Sequence, residues 1–411
     1  MKSSLRNFLI NIYGYSFFNK LLLLTPVYAV FMQRNGISDM QLSILFILLS
    51  VGTFCTQIPV TWITNKFGPK KAIILGQFLE GCGFLLWLLY PTFWGFALGM
   101  FMWGTMNAFF NVAFEGMIYD ELRARHHHNM YARVLGRRYN IQAAGSALSA
   151  FGSLLMFVGY EWITIASLGA LAISMFFIAR IDLRSRNNGR VKKTRKVHFI
   201  TLFKTGYRIC RTTPCIFLML LLSQIVANCA YLDDYLSPIG VELGLPVAFV
   251  GIVQFLILGC MILGQTFAYK FTKIKDWILY ASVCAGGALF ILFSLHYSIA
   301  GIWALGAAYV LFSGINILLY SRFQDFLPST YRSVILSLYS IADNVVYILV
   351  CLLMGFGGTL GSWRYSVLML GGLLVCAGLW AILFVGNKCA IGQNPNIRVL
   401  KTKHPTGSDI V

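Results

Sequence analysis

The chain has 411 residues, of which 58% are hydrophobic and only 11% charged, and its mean hydropathy is +0.72. A soluble globular domain of this length does not tolerate so apolar a composition, so soluble classes are excluded and lipid is the expected solvent. The net charge of +19 would suit a nucleic-acid partner in a soluble protein. Because the basic residues follow membrane topology instead, no nucleic-acid partner is expected.

Long apolar runs divide the chain into twelve segments, each close to the roughly 20 residues that a helix needs to cross the hydrocarbon core. These runs are continuous rather than alternating, which favours helices over strands. The sequence therefore predicts an all-α membrane protein with twelve transmembrane helices in two six-helix bundles. The predicted spans are 7–33, 39–63, 72–91, 95–119, 138–158, 162–180, 214–237, 247–269, 277–296, 299–321, 333–358 and 364–386.

The basic residues predict the orientation of these spans. Thirty of the 33 Lys and Arg residues lie on one side of the membrane, in alternate gaps or, for Arg138 and Arg180, at the adjoining end of a span. Arg34 and Arg364 lie on the opposite side, and Lys20 lies inside the first span. Such charges resist translocation, so both termini are predicted to be cytoplasmic in a bacterial-type inner membrane. The basic run from Arg184 to Lys196 is interpreted as a cytoplasmic connector beside anionic lipid headgroups.

The longest internal gap predicts the domain organisation. It separates an N-terminal six-helix bundle (1–180) from a cytoplasmic basic linker (181–213), a C-terminal six-helix bundle (214–386) and a cytoplasmic tail (387–411). The two halves share a weak repeat, because Asp120 after the fourth span corresponds to Asp325 after the tenth. Such a repeat is typical of transporters built by duplication.

The loop after the second span reads Asn65-Lys66-Phe67-Gly68-Pro69-Lys70-Lys71. It resembles the conserved cytoplasmic loop of the major facilitator superfamily, in which an acid, a base and a glycine precede further bases. The stretches Glu115–Leu122 and Asp325–Ser337 are also similar to that superfamily, and the resemblance covers residues 5–388. It implies a two-bundle fold and secondary transport.

The resemblance also implies a gating role for this loop. Gly68 suits a tight turn, and lysines there can meet helix C-terminal dipoles as the gate closes. Asn65 stands where the superfamily has an acid, so we expect Asp120 near Arg137 and Arg138 to supply closing ion pairs. The full set of gating candidates is Asn65, Lys66, Gly68, Lys70, Lys71, Asp120, Arg137, Arg138, Asp325 and Arg332.

The fifth span lacks the Gly-Pro signature that is common in drug antiporters of the superfamily. It carries Gly145, Ser149 and Gly152 on one face instead. Such a small-residue face permits close helix packing.

The resemblance further implies that spans one, four, seven and ten line a central cavity. Polar residues recur on these spans at three- and four-residue steps, as a helical stripe facing water or protein requires. For any single Asn, Ser or Tyr, bridging between helices is the favoured explanation. The candidates for substrate binding or coupling are Asn19, Lys20, Glu80, Asn107, Asn111, Glu115, Gln224, Asn228, Asp233, Asp234, Asn316, Asp343 and Asn344.

Charged residues inside spans are the strongest of these candidates, because a charge at the bilayer centre costs about 2.5–3.5 kcal/mol on insertion scales. Lys20 needs either an anionic solute or a carboxylate partner, for which Glu115, Asp233 and Asp234 are the candidates. Asp343, about ten residues into span eleven, can exchange a proton when the cavity opens to water. Glu80, in the middle of span three, is either a coupling site or a hydrogen-bonded group within its half.

Nucleophile elbows, phosphate-binding loops and metal-ligand spacings are missing from the sequence, so we expect neither an enzyme nor a bound cofactor. The predicted function is secondary active transport by alternating access, with the proton gradient as the energy source and a monomer in contact with lipid. The favoured activity is export of a drug, metabolite or siderophore. Proton-coupled import of an organic solute is the alternative, and a non-transporting sensor is less favoured. The mixed cavity suits an amphipathic or anionic solute.

Overall fold

A computed structural model of the chain describes residues 2–183, 214–230, 232–326 and 332–385. Secondary structure in these ranges is helical throughout, which confirms the predicted all-α class. The α-helices are α1 (Lys2–Lys20), α2 (Tyr28–Arg34), α3 (Asp39–Phe67), α4 (Pro69–Leu89), α5 (Phe93–Ala124), α6 (Tyr131–Ala150), α7 (Tyr160–Ala179), α8 (Pro214–Ala230), α9 (Asp233–Glu242), α10 (Val247–Phe267), α11 (Asp276–Leu295), α12 (Ile302–Phe326), α13 (Arg332–Thr359) and α14 (Trp363–Trp380).

Nine helices in the described ranges are long and apolar enough to cross a membrane, judged by length and composition. They are α3, α4, α6, α7 and α10 to α14, some of them lengthened by short 3-10 or π turns. The other predicted spans correspond to α1 with α2, to α5, and to α8 with α9. Every predicted span therefore has a helical counterpart, and the chain is a multi-pass membrane protein.

Spans one and seven are interrupted, whereas the sequence predicted continuous helices there. In span one the helix ends at Lys20 and resumes at Tyr28. Pro26 disfavours helix in this interval, because it has no N–H group and restricts the residue before it. Within the break, Leu24 N–H donates to Ser167 Oγ of α7 at 2.9 Å. In span seven, α8 ends at Ala230 and α9 begins three residues further on, at Asp233.

The described helices form two compact units. The first unit contains α1 to α7, α9 and α10 as far as Leu256, and the second contains α8, the rest of α10 and α11 to α14. The segment Asp233–Leu256, which the sequence assigns to the C-terminal bundle, thus groups with first-half helices, and α9 packs on α2. The predicted linker from residue 184 and the predicted tail lie outside the described residues.

The small-residue face of the fifth span packs closely against α1, as expected. A Cβ on Gly145 would lie 2.6 Å from the Phe17 carbonyl oxygen and 3.3 Å from the Lys20 Cβ. A Cβ on Gly152, in the 3-10 turn that follows α6, would collide with the carbonyl oxygen of Leu23. Glycine at these positions therefore lets the fifth span hold the end of α1 and the break that follows it.

Candidate functional site

Arg138 on α6 and Glu115 on α5 form an ion pair inside the first unit. Arg138 Nη2 lies 2.8 Å from Glu115 Oε1, and the Tyr139 hydroxyl donates to the same oxygen at 2.9 Å. The side chain of Arg138 is 1% exposed and that of Glu115 is 43% exposed, so the carboxylate is accessible at the protein surface and the guanidinium is not. Tyr131 lies in the first turn of α6, next to the preceding loop. Burial and, to a smaller extent, the charge of Glu115 raise the pKa of the Tyr131 hydroxyl, so this hydroxyl stays neutral.

Aromatic rings cover the guanidinium of Arg138. Its Cζ atom lies 4.4 Å from the ring centroid of Tyr139, 5.5 Å from that of Phe114 and 5.6 Å from that of Phe110. The Tyr15 ring packs on Phe114 at a centroid distance of 4.7 Å. Within the described residues, Nε and Nη1 of Arg138 and the hydroxyl of Tyr15 are buried without hydrogen-bond partners. Cation–π contacts favour a guanidinium here, but they do not replace the hydrogen bonds that buried N–H groups normally make.

Lys20 is the last residue of α1 and is exposed. A positive charge at a helix C-terminus is favourable, so the break in span one explains a lysine that a continuous span would not. Its charge interacts with those of Glu80 and Arg138. Among the described residues, however, neither Lys20 nor Glu80 has an oppositely charged group within salt-bridge distance. Asn19, next to Lys20, is buried.

Glu80 lies on α4 and is 1% exposed. Gln77 Nε2 donates to Glu80 Oε2 at 3.4 Å, and the carboxylate also hydrogen-bonds with the side chain of Trp103. Gln77 in turn accepts a short hydrogen bond from Ser174 of α7. The two partners of Glu80, Gln77 and Trp103, were not identified from the sequence. The spacing of Gln77 and Glu80 by three residues in an apolar span was the available signal.

The carboxylates that were expected to pair with Lys20 have other partners. Glu115 binds Arg138, as described above, and Asp234 Oδ1 accepts a hydrogen bond from the Tyr28 hydroxyl at 2.6 Å. Asp233 is exposed at the start of α9. The expected pairing was wrong because span one breaks after Lys20, and the break places α2 rather than α1 against α9.

The second unit contains a polar cluster between α8 and α13. Asn228 Nδ2 donates to Asp343 Oδ1 at 3.1 Å, and Gln224 Nε2 donates to the Tyr339 carbonyl oxygen at 3.1 Å. Gln224 and Asn228 are buried, whereas Asp343 is exposed. The cluster therefore consists of one exposed carboxylate next to two buried amide groups.

The other predicted binding residues are more dispersed. On α5, Asn107 is partly buried and Asn111 is exposed, and they follow the same face as Glu115. On α12, Asn316 is partly buried. Asn344 of α13 donates to the Ser340 carbonyl oxygen of its own helix at 2.9 Å.

The predicted cytoplasmic loop forms the turn between α3 and α4. Gly68 adopts a φ of +90°, a value that non-glycine residues rarely adopt, and Pro69 begins α4. Lys70 Nζ donates to the carbonyl oxygen of Ile181, just beyond the end of α7, at 2.8 Å. This contact is of the kind that the sequence predicted for these lysines.

The remaining gating candidates do not form the expected ion pairs in the described structure. Arg138 pairs with Glu115 rather than with Asp120, because one turn of α5 separates the two acids and only Glu115 faces α6. Arg137 hydrogen-bonds with Tyr13 of α1. Lys66 lies over the ring of Trp62 at 4.7 Å. Three further candidates are exposed, namely Asn65, Lys71 and Asp120, and the side chains of Asp325 and Arg332 lie outside the described residues.

A buried ion pair at the same end of α5 was missed from the sequence. Arg125 Nε lies 2.8 Å from Glu121 Oε1, with the two side chains 4% and 0% exposed. Arg125 Nη2 also donates to the Asp182 carbonyl oxygen at 2.8 Å, and its guanidinium lies 5.0 Å from the ring of Phe8. The pair thus ties α5 to α1 and to the end of α7. The four-residue spacing of acid and base was the available signal.

These helices and charges can be compared with known proteins. A family model described as the Major Facilitator Superfamily matches residues 8–342. The chain belongs to the Major Facilitator Superfamily. Membership of this superfamily indicates a membrane transporter rather than an enzyme. A comparison with curated proteins gave no match.

Solved structures of superfamily members share the fold at low sequence identity. The nucleoside transporter NupG is 11% identical with a TM-score of 0.71, over 92% of this chain and 99% of that one. A D-xylose–proton symporter is 12% identical with a TM-score of 0.69, over 92% and 97% of the two chains. A bacterial homologue of the human lysosomal transporter Spinster, in an inward-facing and unoccupied conformation, is 15% identical with a TM-score of 0.68, over 94% and 97%.

Proposed function

We propose that this protein is a proton-coupled secondary transporter, which moves a small organic solute across the inner membrane by alternating access. Superfamily membership supports secondary transport, and one of the similar structures is a D-xylose–proton symporter. The interruptions of spans one and seven add to this support. They occur at corresponding positions of the two halves, and discontinuous helices at such positions often form the binding site of a transporter.

The observation that carries proton coupling is the burial of Glu80. This carboxyl group hydrogen-bonds with the neutral side chains of Gln77 and Trp103 and has no cation within salt-bridge distance in the described residues. A carboxyl group at such depth is a functional candidate, because it can carry a proton along the transport path. Asp343 in the second unit, which accepts a hydrogen bond from Asn228, is the second candidate.

We propose import as the direction, and the ion pair of Arg138 with Glu115 supports it. When Glu115 is protonated, it loses the negative charge that pairs with Arg138. Proton binding at Glu115 and solute binding at Arg138 therefore favour each other. Such cooperative binding is expected of a symporter, in which an inward proton gradient drives uptake of the solute. Export of a drug, metabolite or siderophore, which the sequence predicted, is the alternative.

Reconstitution into liposomes tests the proposal. A pH-sensitive dye trapped inside reports whether an added solute drives proton movement, and radiolabelled solute reports accumulation under an imposed pH gradient. We expect a solute and protons to move together in the same direction, and Glu80→Gln to abolish the gradient-driven accumulation. The control is Glu161→Gln, which alters an exposed carboxylate in the first turn of α7. Movement of solute and protons in opposite directions would establish export, and flux that ignores the gradient would contradict proton coupling.

A further inference from the structure

Arg138 is a buried cation that leaves most of its hydrogen-bonding capacity unused. A guanidinium has five N–H donors. Only Nη2 contacts Glu115, while Nε and Nη1 have no partner among the described residues and the side chain is 1% exposed. Unpaired buried donors are rare in native proteins because they have lost water without gaining another partner. The free donors indicate that Arg138 binds something besides Glu115.

Glu115 is the member of the pair that can leave. Its side chain is 43% exposed, and a single oxygen, Oε1, accepts from both Arg138 and the Tyr139 hydroxyl. Protonation of this carboxylate removes the charge that makes its hydrogen bond to Arg138 strong. The other titratable or charged groups around the pair are Tyr119, Tyr131 and Tyr139, Tyr15 and Lys20 of α1, and Glu80 of α4.

Lys20 provides a second positive charge in the same region. Its charge interacts with that of Arg138, and Gly145 on α6 holds the end of α1 against the helix that carries Arg138. Lys20 is exposed and lacks a carboxylate within salt-bridge distance in the described residues. Two cations without a full set of anionic partners favour an anionic ligand.

We propose that the transported solute is an organic carboxylate, and that its carboxylate group replaces Glu115 on Arg138 while Glu115 takes up a proton. Lys20 supplies the second cation, and the partly buried ring of Phe110 and the exposed ring of Tyr139 contact the apolar body of the solute. In the structure, Arg138 already binds a carboxylate, namely that of Glu115. The inference rests on the proposed function and names the class of solute.

Thermal stabilisation of the purified full-length protein tests this binding directly. The probes are lactate, benzoate and nicotinate, each compared with its uncharged amide. We expect at least one acid to stabilise the protein, more strongly as the pH falls, and its amide to have no effect. Arg138→Gln should lose the stabilisation. Glu115→Gln should bind the acid about tenfold more tightly than the wild type at neutral pH and should lose the pH dependence.

Arg180→Gln is the matched control, since Arg180 is an exposed cation that stacks on Phe176 at the end of α7. It should bind the acid as the wild type does. If Arg138→Gln does not fold, Arg138→Lys serves instead, because it keeps the charge but not the planar fork of donors, and it should weaken acid binding.

Three results would overturn the inference: equal stabilisation by acid and amide, no stabilisation by any of the acids, or full acid binding by the folded Arg138 variant. A separate arm tests the proposed function. If the wild type binds an acid through Arg138 but does not accumulate it in liposomes under a pH gradient, the transport proposal fails while the binding site stands.

Discussion

The polar clusters of the two units differ in charge, although most of each unit comes from one of two halves that share a weak sequence repeat. In the first unit, two cations, Lys20 and Arg138, lie among the carboxyl groups of Glu80 and Glu115. In the second unit, the amide of Asn228 donates to the exposed carboxyl group of Asp343 and also to the amide oxygen of Gln224. The two helical units therefore carry polar clusters that suit different roles. Under the proposed function, the first unit binds an anion together with a proton, whereas the second offers mainly neutral hydrogen bonds.

The largest expected effect concerns the first unit. Arg138→Gln should lower the initial rate of uptake into liposomes, measured for the acid that binds best, by about a hundredfold or more, because the solute loses its cationic partner and such a loss costs about 2–5 kcal/mol. The rate is measured under an inward proton gradient, and Arg180→Gln should transport at the wild-type rate. Uptake by a folded Arg138→Gln protein at half the wild-type rate would remove Arg138 from the site.

Glu80→Gln should separate proton coupling from solute movement. We expect accumulation against a concentration gradient to vanish, because a proton taken up at Glu115 then has no buried carboxyl group to carry it along the transport path, while exchange of labelled for unlabelled solute at equal pH persists. Accumulation and exchange are measured in the same liposomes, beside Glu161→Gln. Wild-type accumulation by Glu80→Gln would assign coupling to another carboxyl group.

Asn228→Ala should have a smaller effect and would sharpen the contrast between the units. It removes one hydrogen bond to Asp343, worth about 1.5–3 kcal/mol for a bond to a charged group. We expect a KM about tenfold higher with the pH dependence of uptake unchanged. If the pH dependence of uptake were lost, the second unit would also couple protons, and the proposed difference in role between the two units would be wrong.

The smallest effect is expected at the break in span one. Ser167→Ala leaves the Leu24 N–H without its acceptor and should lower the free energy of unfolding by about 1–3 kcal/mol. Thermal unfolding in detergent measures it. Ser282→Ala is the control, because that hydroxyl donates only to a carbonyl of its own helix. Equal stability of the two variants would mean that Ser167 does not secure the break.

The sequence predicted the spans well because the length of an apolar run follows directly from the thickness of the membrane. It did not predict the interruption of span one. The signals were present in Lys20 and Pro26, yet the surrounding residues are apolar and the run is long enough for a complete helix. Whether a proline bends or ends a helix depends on partners for the freed backbone groups, such as Ser167, and these are tertiary contacts.

The individual candidates in the first-unit cluster were also visible in the sequence, but their pairing was not. Glu115, Glu80 and Lys20 stood out as charges in apolar spans. Arg138 was assigned to the gate because it follows Arg137 at the edge of a predicted span. Its burial depends on which face α6 turns toward α5, and the sequence of one helix does not determine that contact.

The central claim is that proton and carboxylate bind together at Arg138 and Glu115. Titration calorimetry of the wild type with the acid that stabilises it best, in buffers of different ionisation enthalpy, measures the protons taken up on binding. We predict a net uptake of protons by the wild type on binding the carboxylate, and none by Glu115→Gln. Carboxylate binding by the wild type without proton uptake would contradict the claim.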